Sequence, residues 1–378
     1  MFMEQLLKEI REEMLHMFDH LHTHPELSWK EYNTTTYLKE LLENAGARVQ
    51  IFSDCTGVIA EIGEGSPVVA LRADIDALWQ EVDGENRANH SCGHDAHMTM
   101  VYGAFLLLKK LHIGKGTVRF IFQPAEEKGN GALKMVEKKV ADDIDYLYGV
   151  HLRPIQDMEN GKAAPAMFHG ASRFLLGKVS GEDMHGARPH LGANAIEVGA
   201  TFVQMLNQIQ INPLIPHSAK VTSFQAGGES FNIIPGSAVF SVDLRAQTNE
   251  GMEELQQKVE AAGRTLSSFY NVGVSVDIVS SIVAAQVNPE AEAIMRDAIV
   301  DVLGPDKLLD SVTTTGGDDF HFYTVKRPSI KATMLALGCD LSPGLHHPNM
   351  TFDKEAIFSG IGILTRVVLR TFEQNPRD

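Results

Sequence analysis

Residues 89–97 read Asn89-His90-Ser91-Cys92-Gly93-His94-Asp95-Ala96-His97 and carry three imidazoles, one thiol and one carboxylate around a single glycine. Thiolate, imidazole and carboxylate are the side chains that bind a borderline-soft divalent cation. Cys92 and His94, two apart on a glycine-containing turn, can converge on one ion. A solvated loop or helix cap would account for one isolated histidine. It does not account for this density together with the Glu and His signals further along the chain.

The segments on either side of this block set the fold class. Upstream, helical spacing over 3–21 and again over about 31–44 precedes strand-like runs at Val49–Ser53, Gly57–Ile62 and Val68–Ala73. The last run is almost wholly apolar, as in a strand buried on both faces. Downstream come a helix from His97 to Leu111, a strand Thr117–Gln123, a helix Gly131–Lys139 and a strand Tyr146–Val150. Strands alternating with helices imply a largely parallel sheet covered on both faces, with ligand groups in loops beyond the strands' carboxyl ends. Asp74 and Asp76, Glu126 and Glu127, and His151 each follow such a strand.

In Gln123-Pro124-Ala125-Glu126-Glu127, neighbouring Glu side chains diverge, so one can bind a metal while the other faces a bound water. A helix N-terminus using Glu to complement its dipole is the alternative. Gly344-Leu345-His346-His347-Pro348 adds further imidazoles. Cys92, His94, Glu127, His151 and His346 make five candidate donors, more than one tetrahedral site needs. The count therefore points to a two-metal centre. A bridged metal pair would lower the pKa of its water, and Glu126 would take the proton and pass it to the leaving amine.

From about 171 to 279 the order becomes β-α-β-β-α-β, a ferredoxin-like unit, and the larger α/β pattern resumes afterwards. The expected division is 1–170 with 280–378 as one discontinuous domain and 171–279 as an inserted second. The insert carries Met184-His185-Gly186-Ala187-Arg188-Pro189-His190, Phe231-Asn232-Ile233-Ile234-Pro235 and Asp243-Leu244-Arg245. Imidazole and amide groups such as those of His185 and Asn232 can donate to an oxyanion. The Arg245 guanidinium can hold a carboxylate bidentately, though it also suits an ordinary strand end.

Bulk properties narrow the class. At 378 residues, with 44% hydrophobic and 22% charged side chains, the chain is long enough for two domains. Its longest apolar run, near Ala104–Leu108, stops at Lys109 and Lys110, far short of the roughly 18–20 residues that span a bilayer. The start of the chain lacks the basic-then-apolar order of a signal peptide. Three cysteines, Cys55, Cys92 and Cys339, argue against a disulfide framework. A cytoplasmic location follows as an expectation. The formal charge of −16 disfavours nucleic acid and anionic membrane as partners.

The chain resembles the bacterial amidohydrolase branch of metallopeptidase family 20, which includes aminoacylases, hippurate hydrolases and hydrolases of indole-acetyl amino acids. The likeness runs through His24-Pro25-Glu26-Leu27-Ser28, Leu71-Arg72-Ala73-Asp74-Ile75-Asp76-Ala77-Leu78, the Cys92–His97 block and Pro124-Ala125-Glu126-Glu127. It resumes at His185–His190, Asn232–Pro235, Gly317-Asp318-Asp319-Phe320 and His346-His347-Pro348. The pairing of Cys-Gly-His-Asp with Pro-Ala-Glu-Glu is its most specific part.

The resemblance implies a zinc-peptidase-like α/β catalytic domain with an inserted ferredoxin-like lid and dimerisation domain. It implies that Cys92, His94, Glu127, His151 and His346 bind two divalent ions, with Glu126 as general base and Asp76 steadying the site. His185 would reach across a homodimer interface to the partner's oxyanion. The implied activity is hydrolysis of a linear amide in an N-acyl amino acid or similar small conjugate, with zinc, manganese, cobalt or nickel as the ion. A dipeptidase or carboxypeptidase of the same family and a non-catalytic metal- or ligand-binding protein remain open, as does Cys92 acting as a nucleophile. The chain departs from the family pattern at Trp79, over Gln80–Asn89, at Glu182-Asp183-Met184 and at Asp318-Asp319.

Overall fold

The computed structural model describes residues 2–111 and 116–375. Two compact units emerge. One takes in the chain to Phe168, Gln286–Thr313 and Asp318 onward; the other comprises His169–Ala285 with Thr314–Gly317.

The first unit opens with α1 (Phe2–Thr23) and α2 (Tyr32–Asn44), then β1 (Arg48–Ile51), β2 (Val58–Glu64) and β3 (Val68–Asp74). A hairpin of β4 (Leu78–Val82) and β5 (Glu85–Asn89) leads to α3 (His94–Leu111), β6 (Gly116–Gln123), α4 (Gly131–Glu137), β7 (Tyr146–Pro154) and β8 (Ala163–Ala164). After β9 (Met167–His169), the second unit runs β10 (Ala171–Ser180), β11 (Met184–His185), α5 (Ala195–Asn207), β12 (His217–Ala226), β13 (Ile233–Ile234), β14 (Ser237–Ala246), α6 (Asn249–Tyr270) and β15 (Gly273–Ile282). The chain closes with α7 (Pro289–Leu303), β16 (Val312–Thr314), α8 (Phe322–Lys326), β17 (Lys331–Leu341) and α9 (Glu355–Gln374).

The large sheet has the order β1-β2-β6-β3-β7-β17-β8. Its four central strands are mutually parallel, β2 and β8 run antiparallel to them, and β1 pairs antiparallel with β2. The sheet is therefore mixed, with its parallel part confined to the middle. Every residue of β3 is buried, whereas edge strand β1 is mostly exposed. Apolar side chains of the sheet pack against α1, α3, α7 and α9 in one continuous core. In the second unit the four-stranded sheet has the order β12-β14-β10-β15, antiparallel throughout. Helices α5 and α6 contribute Val198, Phe202, Leu255 and Val259 to its separate core, which is a ferredoxin-like arrangement. Among the described residues, no helix is long and apolar enough to cross a membrane.

Three local features matter for the site, the first two of them differences from the sequence expectation. Helix α3 starts at His94 rather than His97. Strand β7 runs on to Pro154, so His151 projects from within a strand paired to Ala336, not from the loop after it. The segment after Leu78 is a hairpin turning at Asp83-Gly84, with φ of 54° and 84°. Two left-handed residues in succession suit a two-residue hairpin loop, and Asp-Gly is a favoured pair for it.

Candidate metal centre

The candidate ligands converge at the carboxyl ends of the central strands of the first unit. Cys92, Gly93 and His94 form the entry to α3. Gly93 has φ +86°, a left-handed conformation that favours glycine, and a Cβ there would lie 2.9 Å from Leu152 Cδ1. His94 Nδ1 lies 2.8 Å from the Asp76 main-chain oxygen, which can only accept. Nδ1 therefore carries a proton, and Nε2 is left for the other side. Burial would lower this imidazole's pKa, but Asp74, Cys92 and Asp76 hold it well above the ordinary value. His151 repeats the arrangement, with Nδ1 2.7 Å from the Leu152 oxygen and Nε2 3.6 Å from Cys92 Sγ. Imidazoles anchored through one nitrogen in this way are oriented for a metal at the other. His346 stands on the opposite side, its Nε2 3.3 Å from Glu127 Oε1.

Donor atoms of Cys92, His94 and His151 lie within 4.8 Å of one another, as do those of Cys92, Glu127 and His346. The two triads share Cys92. His94 Nε2 and Glu127 Oε1 are buried without a hydrogen-bond partner. An orphaned buried polar atom costs about 1–3 kcal/mol, so the gap between them is chemically incomplete, and a cation satisfies both. The donor set fits divalent metal.

The surroundings hold these groups in place. Asp76, almost fully buried, accepts from Ser28 Oγ at 2.6 Å and from the main-chain nitrogens of Glu126 and Glu127 at 3.1 and 3.0 Å. Burial alone would raise its pKa. The bonds from His94, Ser28 and Glu127 N outweigh that and keep it below the ordinary value. Burial pushes the Glu126 carboxyl well above its usual range, and the neighbouring Asp318, Glu127 and Asp319 push it the same way. Burial likewise raises the Cys92 thiol and lowers the His151 imidazole.

The sequence reading did not single out Arg72, His97 or Asp319 as site residues. The Arg72 guanidinium is completely enclosed, donating to Asp74 Oδ2 at 2.6 Å, Asp319 Oδ1 at 2.8 Å and Gln123 Oε1 at 3.0 Å. The donor atoms of Glu126, Asp318 and Asp319 also cluster within 4.8 Å, but Arg72 already supplies the positive charge there. His97 Nδ1 meets Asp74 Oδ1 at 2.7 Å and its Nε2 accepts from Leu152 N at 3.1 Å, so neither nitrogen is left for a metal. Arg72 stands inside an apolar strand, and such an isolated charge was the legible signal.

The remaining expected residues lie in the second unit. His185 and Asn232 are brought together: the β11–β13 pairing sets His185 opposite Ile233, and Gly186 N donates to the Asn232 oxygen at 2.7 Å. His185 is exposed, and its Nδ1 accepts from Ala187 N at 3.0 Å. Arg245 is paired with Asp243 at 2.8 Å, and its guanidinium lies over the Phe174 ring.

Two donor triads with a carboxylate beside them define a metal-dependent hydrolase. Residues 70–370 match the peptidase family M20/M25/M40, and the chain belongs to that family; it is a hydrolase of amide bonds. It is 32% identical to N-acetyl-L-cysteine deacetylase of Bacillus subtilis, over 98% of this chain and 90% of that protein. It is 30% identical to IAA-amino acid hydrolase ILR1-like 4 of Arabidopsis thaliana, over 80% of this chain and 72% of that protein. Among solved structures it is similar to a dinuclear metal-binding peptidase of the M20 family from Bacillus subtilis. The TM-score there is 0.79 with 27% identity, covering 96% of this chain and 99% of that one.

Proposed function

We propose that this chain hydrolyses the amide bond of N-acyl amino acids or similar small conjugates. Two divalent ions would be held by Cys92, His94, Glu127, His151 and His346. The observation that carries this reading is the pair of donor triads sharing Cys92, with Glu126 beside them and orphaned polar atoms facing the gap. When bound, such ions supply Lewis acidity toward the amide carbonyl and acidify a water.

The protein's own groups then do the following. Glu126 accepts the attacking water's proton as its oxygen bonds to the carbonyl carbon. The same carboxyl returns that proton to the nitrogen as the C–N bond breaks. A carboxyl placed beside the attacking water can take its proton and give it back to the leaving nitrogen. Asp76 keeps Glu126 and Glu127 in register through their main-chain nitrogens. His185 and Asn232 are assigned to the oxyanion and Arg245 to the substrate carboxylate, within a lid that also dimerises. The relatives' names favour small acyl conjugates over dipeptides. Zinc is the preferred ion, since thiolate, imidazole and carboxylate together suit it, with manganese, cobalt and nickel as the alternatives. Three unpaired cysteines support a cytoplasmic location.

The test is turnover of a panel of N-acetyl, N-benzoyl and indole-acetyl amino acids alongside dipeptides, with chelated and metal-restored protein side by side. Acyl-amino-acid turnover that vanishes with chelator and returns with metal is the expected result. Turnover of dipeptides alone would replace the reading with a dipeptidase. No turnover with two ions bound would point to a binding role.

A further inference from the structure

We infer that Glu31, a residue outside the proposed metal and catalytic set, is a positioning residue for Glu126. This rests on the reading of Glu126 as the general base. Glu31 occupies the N-cap position of α2, where a side chain ordinarily accepts from the first free main-chain nitrogens. It makes no such bond. Glu26 does that work instead, its carboxylate accepting from Asn33 N at 3.2 Å, Thr34 N at 2.8 Å and Thr34 Oγ1 at 2.9 Å. Glu31 is thereby released into the interior and is fully buried. There its Oε2 accepts from Thr56 Oγ1 at 2.6 Å and its Oε1 from Ala125 N at 2.9 Å.

Ala125 is the residue immediately before the base. It is a non-glycine residue with φ +52°, at the start of the tight turn Glu126–Lys128. The left-handed conformation costs an L-residue roughly 1–2 kcal/mol, so something must hold it. Successive main-chain nitrogens of this turn each meet a buried carboxylate: Ala125 N on Glu31, Glu126 N on Asp76 Oδ1 and Glu127 N on Asp76 Oδ2. The far end is closed by Asp319, which accepts from Ala132 N at 2.8 Å. Asp76 lies beneath the two functional glutamates, and Glu31 determines the direction from which the chain enters them. Burying a carboxyl group near Asp76 with two partners is costly. Its placement is explained by the strained peptide it restrains.

Glu31→Gln preserves both bonds, since the amide oxygen can accept from Ala125 N while the amide NH2 donates to Thr56 Oγ1. Glu31→Ala leaves Ala125 N buried without an acceptor. Expected for Glu31→Ala is a kcat loss of about 10-fold to 100-fold, the scale of a sub-ångström to ångström misplacement of a reacting group. KM and the content of two ions should be unchanged, and Glu31→Gln should restore kcat to within about 2-fold. Thr56→Val, which keeps Glu31 but removes one anchor, should lower kcat by a smaller factor and decides the matter should Glu31→Ala not fold. The inference is overturned by unchanged kcat in Glu31→Ala, or in Thr56→Val where that variant decides. It is equally overturned by a Glu31→Ala loss that follows metal content or folded fraction, or by failure of Glu31→Gln to restore kcat. Glu126→Gln is the control: an active Glu126→Gln defeats the reading of the base. An inactive Glu126→Gln beside a fully active Glu31→Ala defeats only the role of Glu31.

Discussion

The two sides of the candidate metal centre are built differently. On one side His94 and His151 are enclosed by the sheet and α3, each ring anchored through Nδ1 to a main-chain oxygen. On the other side His346 is carried by a loop, with its side chain 53% exposed and its backbone left-handed at φ +62°. Among the described residues that peptide is gripped by two bonds, His346 N to the Ser91 oxygen and Gln80 Nε2 to the His346 oxygen, both at 2.7 Å. The enclosed side takes its orientation from the fold's core. The loop side depends on a few local hydrogen bonds, so its ion should be the easier to lose.

The largest expected effect probes the enclosed side. Arg72→Met leaves Asp74 and Asp319 buried without their cation, which costs about 3–5 kcal/mol. Chemical denaturation should show this loss, and a change under about 1 kcal/mol would show that the charge cluster lends the enclosed side no stability.

Next comes pH. Burial, with Asp76 nearby, raises Glu31 to about 7 from the ordinary 4.5. Between those values the unfolded chain has released this proton while the folded chain still holds it. Folding therefore weakens as pH rises through that window, by about 3 kcal/mol in all. Glu31→Gln does not titrate, so its stability relative to the parent should improve from pH 4.5 to 7.5. Parallel stability curves for the two proteins would refute this.

Two substitutions address the loop side. His346→Ala should leave one ion tightly bound and weaken the other by roughly 100-fold or more, read by metal titration. Cys92→Ala, which removes the donor common to both triads, should disturb both ions. Equal weakening of both ions in His346→Ala would erase the proposed contrast. The smallest effect is expected of Gln80→Ala. Releasing the His346 peptide should weaken the same single ion by roughly 10-fold, the scale of losing a group that supports a ligand. Unchanged titration curves would show that the Ser91 contact is sufficient.

The candidate donors could be picked out in the sequence because metal ligation demands rare side chains at short spacing, as in Cys92-Gly93-His94 and Glu126-Glu127. The α/β pattern and the inserted β-α-β-β-α-β unit were legible because buried strands and amphipathic helices impose their own periods on the chain. The Asp83-Gly84 hairpin was readable too, from its turn pair, but lies in a segment that departs from the family pattern. Which of the five candidate donors lie within reach of one another was not legible. That depends on strand order, which brings Cys92, His151 and His346 together from three distant parts of the chain. Nor could the sequence show that Glu26 caps α2 so that Glu31 can turn inward, or that Arg72 is enclosed by Asp74 and Asp319. Composition and spacing record which groups a chain has. Only packing decides which of them lose water and which partner each then finds, and the energies of those buried charges follow from that choice.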